Sequence, residues 1–136
     1  MCYYLYGSIN KEVNREDYEN VLKKGYSFHF NIGSRHDVKM SVLNCESDYM
    51  ISDGVCDCET AVGRKDPNNP ELKELKDLLL DLRSVRDVQC VYLSKNWTGK
   101  INKKEKTVRI DDIDILEFLA NVEDNCLYKI EMIRKY

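Results

Sequence analysis

Two prolines and six glycines in 136 residues leave little material for a disordered linker, and the whole chain, residues 1–136, is expected to fold as a single domain. No apolar run approaches the roughly 18–20 residues that cross a bilayer. The start, Met1-Cys2-Tyr3-Tyr4-Leu5-Tyr6, lacks the charged and apolar stretches of a signal peptide. These absences argue against a membrane protein and make the cytoplasm the expected setting. Histidine is scarce, at two residues, and no phosphate-cradling glycine loop, nucleophile elbow or Cys-x-x-Cys pair is present. A net charge of −3 lacks the basic character of most dedicated nucleic-acid binders.

Six cysteines stand out against this background. In a reducing cytoplasm they read as free thiols, metal ligands or small buried apolar residues rather than disulfides. Cys56 and Cys58 flank Asp57, with Cys45 upstream and His36 nearby, so Cys45, Cys56, Cys58 and His36 form a candidate zinc set. Tetrahedral zinc sites prefer paired cysteines two to four residues apart and commonly use a second pair; this chain has a one-residue spacer and no second close pair. Closing Cys56 and Cys58 into a disulfide would strain a small ring. Buried apolar cysteines are therefore the plainer expectation for Cys45, Cys56, Cys90 and Cys126, and no cofactor is expected unless the Cys56/Cys58 pair binds zinc.

Cys2 offers a thiol-enzyme alternative, because an exposed amino-terminal cysteine can use its own amine as base. The Met1-Cys2 start resembles that of class II glutamine amidotransferases and of proteins that trap abasic sites in DNA. The resemblance covers two residues, and Tyr3 and Tyr4 stand where glycine commonly follows. His29 and His36 could in principle activate a thiol. Alternation places His29 opposite an apolar face, however, and His36-Asp37 sits at a turn, where polar residues gather anyway.

Periodicity gives the fold class. Residues 2–9 read as an interior strand, residues 14–24 as a short helix capped by Asn14, and residues 27–42 as a hairpin turning at Gly33-Ser34. A short strand is expected at 49–51. Asn69, Pro70 and Glu71 open a helix whose Leu72, Leu75, Leu78, Leu79 and Leu82 form one stripe. Residues 88–93 are almost continuously apolar, as in a central strand. Asp111 or Asp112 should cap a last helix ahead of a strand alternating Tyr128, Ile130 and Met132 with Lys129 and Glu131. The expected class is α+β, with a mixed, mainly antiparallel sheet of five or six strands packed by about three helices.

Charge is distributed unevenly. Residues 95–109 carry six basic side chains, Lys95, Lys100, Lys103, Lys104, Lys106 and Arg109, against the single acid Glu105. With Trp97 and Gly99 they read as a hairpin or mobile loop able to attract phosphate or carboxylate and to stack an aromatic ring. A solvated lysine-rich hairpin would look the same. The acids Asp111, Asp112 and Asp114 suit a helix start better than a cation site. The reading that follows is a small, non-catalytic binding or inhibitory protein whose basic, Trp97-bearing surface engages a protein, nucleic-acid or nucleotide partner. Frequent Lys, Asn, Ile and Tyr fit an AT-rich genome, and phage-encoded inhibitors of host defence share this size and acidity.

Overall fold

The computed structural model describes residues 3–9, 16, 20, 29–30, 49–50, 58–85, 87–97 and 104–132. Four strands of six to eight residues form its sheet: β1 (Tyr3–Ile9), β2 (Cys90–Trp97), β3 (Lys104–Arg109) and β4 (Cys126–Glu131). Two α-helices accompany them, α1 (Pro70–Arg83) and α2 (Ile115–Ala120). The order across the sheet is β1-β2-β4-β3, and the two-residue segments Tyr49–Met50 and His29–Phe30 continue the ladder beyond β1. β1 with β2 and β2 with β4 are antiparallel, whereas β3 and β4 are parallel.

The class is α+β, but the expected count of five or six strands and about three helices is corrected: among the described residues the sheet is mixed, with four strands of six residues or more and two helices. The difference in count lies in segments outside the described residues. Most of the expected first helix and the 27–42 hairpin lie outside the described residues. In addition, residues 95–109 do not form a hairpin: β2 runs on through Trp97, and β4 separates it from β3.

Helix α1 forms for the reasons its sequence advertises. The Asn69 side chain accepts a hydrogen bond from the Glu71 N–H, and Pro70 fills the first turn, where its missing N–H costs nothing. Leu72, Leu75, Leu78, Leu79 and Leu82 are all buried. Leu75, Leu78 and Leu79 meet Val91 and Leu93 of β2 and Leu119 of α2 around one apolar pocket. Each buried leucine contributes about 2 kcal/mol, so the stripe is what holds α1 on the sheet. The second helix is capped by Asp114, not by the expected Asp111 or Asp112; its carboxylate accepts from the Leu116 and Glu117 N–H groups. Asp111 and Asp112 instead fall in a 3₁₀ turn, Ile110–Asp112, where Asp111 pairs with Arg83 at 2.8 Å and Asp112 faces Arg109 at 3.8 Å.

Register assigns the two faces of the sheet. Ile9, Val91 and Ile130 lie opposite one another, as do Gly7, Leu93 and Tyr128, and this face receives the helices. On the other face Tyr6, Ser94 and Leu127 align and are buried as well. The expected interior strand at residues 2–9 and central strand beginning near residue 88 are thus both present.

Candidate functional site

The basic stretch from the sequence divides into two environments. The first lies where β1 begins and β2 ends. Lys95 shares the helix-facing side of β2 with Val91, Leu93 and Trp97, because residues two apart on a strand point the same way. Its residue is only 6% exposed. The ammonium donates to the Val62 carbonyl at 3.0 Å, faces the Asp124 carboxylate at 3.6 Å and stands 5.0 Å from the centre of the Tyr3 ring. A buried ammonium is tolerated only with such partners, so Lys95 ties loops together and offers nothing to a ligand.

Neighbouring groups complete that tie. Tyr3 and Trp97 stack edge-on with ring centres 4.8 Å apart. The Asn125 N–H donates to the Lys95 carbonyl, and the Asn125 side-chain oxygen accepts from the Trp97 N–H, extending the β2–β4 pairing by a side chain. The Tyr3 N–H donates to Cys58 Sγ at 3.5 Å, and Arg64 donates to the Cys58 carbonyl. The Tyr3 hydroxyl has a pKa raised above its ordinary value, chiefly by its hydrogen bond to Asp124, then by burial and by the negative charge of Asp124.

The loop that receives Lys95 is fixed from two sides. Thr60 and the Ala61 N–H both donate to the Glu71 carboxylate, anchoring residues 60–61 to the first turn of α1. Beyond them the Gly63 and Lys65 N–H groups donate to Leu119 and Ala120 at the end of α2. Gly63 takes φ +79°, and a β-carbon there would sit 2.7 Å from the Val122 carbonyl oxygen, so both conformation and space call for glycine.

The second environment is β3, the outermost strand. Lys104, Glu105, Lys106, Thr107 and Arg109 are exposed, and only Val108 is half-buried. Among the described residues nothing pairs with the strand's outer side. Lys104, Lys106 and Val108 project to the helix-facing side and Glu105, Thr107 and Arg109 to the other, as their alignment with Cys126 through Glu131 requires. Lys106 holds Glu123 at 2.8 Å; this contact raises the Lys106 pKa and lowers that of Glu123, which also feels Lys104.

Of the seven basic or aromatic residues expected to bind a partner, β3 thus carries Lys104, Lys106 and Arg109 in the open. Lys95 is buried and Trp97 is packed on Tyr3, while Lys100 and Lys103 lie outside the described residues. Of the candidate zinc ligands only Cys58 is described; Cys45, Cys56 and His36 are not, and neither is Cys2. Among the described residues no group of three or more His, Cys, Asp or Glu side chains could hold a metal ion. The residues that sequence reasoning passed over are Tyr3, Gly63, Asp124 and Asn125, all in the Lys95 cluster. One signal pointed there: Lys95 falls in step with Val91 and Leu93. No protein-family pattern, curated protein or solved structure matches the chain.

Proposed function

We propose that this is a small, non-catalytic binding or inhibitory protein of the cytoplasm that holds a partner protein along the β3 edge. The observation that carries the reading is the exposure of Lys104, Lys106 and Arg109 on an outermost strand whose outer side is unpaired among the described residues. Such an edge is costly to leave open unless it is guarded or used, and partner proteins commonly exploit it. Exposed arginine and aromatic residues anchor many interfaces, but Trp97 is already committed to Tyr3 here, which leaves the β3 cations as the contact set among the described residues. The described Cys58, Cys90 and Cys126 are not joined in disulfides, which suits a reducing compartment.

Crosslinking from Thr107, followed by binding of the purified crosslinked partner to Lys104→Glu/Lys106→Glu/Arg109→Glu protein, tests this. The triple reversal should weaken binding at least tenfold while leaving the far-ultraviolet circular dichroism unchanged, because all three side chains are exposed. Undiminished binding by that variant overturns the reading.

A further inference from the structure

We infer that the β3 edge takes an acidic, extended peptide segment as an added strand. This rests on the proposal that β3 is the docking edge, and it names the chemistry of the occupant. The side chains on the helix-facing side of β3 run cation, cation, apolar: Lys104, Lys106, Val108. A strand complementary to that row carries two acids at alternate positions and one apolar residue in line with them. Laid antiparallel, the slightly stronger pairing, it reads apolar-x-acid-x-acid from its amino end. Glu123 already shows the chemistry, since its carboxylate reaches Lys106 at 2.8 Å from outside the strand. That pair is about half exposed at both ends, so an incoming carboxylate can replace it at little cost.

A second copy of the chain matches the lysine row less well. Antiparallel pairing opposes residues of the same face, so self-pairing centred on Lys106 sets that lysine against itself, and self-pairing centred on Thr107 joins Glu105 to Arg109 but sets Lys106 against Val108, so neither register gives the lysines a carboxylate. Nucleic acid is less well matched. The edge offers backbone donors and acceptors in strand spacing, Glu105 sits among the cations, and the nearest tryptophan is stacked on Tyr3 rather than free to hold a base.

The test uses the full-length protein labelled with ¹⁵N and a blocked peptide, Thr-Val-Thr-Glu-Thr-Glu-Thr. The expected result is saturable shifts confined to β3 amides, slowed amide exchange there, and binding weakened about tenfold or more when alternate peptide nitrogens are methylated, as loss of main-chain hydrogen bonds requires. Replacing both peptide glutamates by glutamine should also weaken it, as should Lys104→Glu with Lys106→Glu in the protein. Equal binding of the N-methylated peptide, or tighter β3-dependent binding of a single-stranded oligonucleotide, overturns the added-strand inference and leaves the edge as a docking site. No β3-dependent binding of either probe overturns the inference, whereas the docking-edge reading falls only if the triple reversal leaves the crosslinked partner bound.

Discussion

β2 and β3 lie in one sheet, carry lysines only a few residues apart in the chain, and put them to opposite uses. On β2, flanked by β1 and β4, Lys95 is enclosed with three partners: a carbonyl, a carboxylate and a tyrosine ring. On β3, flanked among the described residues by β4 alone, Lys104 and Lys106 are exposed, Lys106 beside Glu123 at the surface. The difference is one of ladder position, not residue type. A central strand forces every side chain to meet protein, so a lysine there survives by being fully partnered; an edge strand lets its charges remain available.

If that contrast holds, the largest loss of stability should come from Lys95. Lys95→Ala removes a buried aliphatic stem, leaves the Val62 carbonyl without its donor and strips Asp124 of its cation; unfolding in urea should show a loss of about 3 kcal/mol. Most of this comes from the stem and the carbonyl, because Asp124 is 43% exposed and its ion pair is screened. Lys95→Met keeps the stem and should recover about half of the loss. A neutral Lys95→Ala would mean that the tie is incidental and would erase the distinction between the two strands.

Gly63→Ala probes the other half of the same tie and should cost about 2 kcal/mol, from φ +79° and from the 2.7 Å approach to the Val122 carbonyl. Asn69→Ala, at the start of α1, comes next at about 1 kcal/mol, since it removes the acceptor for the Glu71 N–H. By contrast, Lys104→Glu with Lys106→Glu should leave the urea unfolding midpoint nearly unchanged, because both side chains are exposed. A large destabilisation by that pair would show β3 to be structural, not available.

These comparisons also show which parts of the molecule were legible in its sequence. α1 could be read completely, because its cap, first-turn proline and leucine spacing are all local. The identity of a strand's neighbours is not local: nothing between residues 95 and 109 announces that β4, later in the chain, will intervene. The basic stretch therefore read as one surface, although alternation with Val91 and Leu93 already placed Lys95 on the core side. Asp114 was the better cap candidate than Asp111 or Asp112 by adjacency to Ile115 and Leu116, but three aspartates in four residues obscured the choice. Asn125 could not have been found by pattern, since its role depends on lying beside the end of β2 in space.

The subtlest effect belongs to the Lys106–Glu123 contact, and it separates an available charge from a committed one. Glu123 titrates below the ordinary carboxylate range because it accepts from Lys106 and feels its charge, and Lys106 titrates above the ordinary lysine value for the reciprocal reason. By linkage, a lowered folded-state pKa gives stability that is present above the unfolded carboxylate value and is lost as pH falls through the folded one. The raised Lys106 value gives stability that is present below the unfolded lysine value and is lost as pH rises through the folded one. Both groups are about half exposed, so the expected change in unfolding midpoint is too small to resolve, and the titrations themselves are the observable. In ¹³C-detected NMR, Lys106→Gln should return Glu123 upward toward the ordinary carboxylate value, and saturating the β3 edge with an acidic peptide should do the same by drawing Lys106 away. If the peptide binds and Glu123 does not move, the incoming strand does not use Lys106, and the charge row along β3 is narrower than its sequence implies.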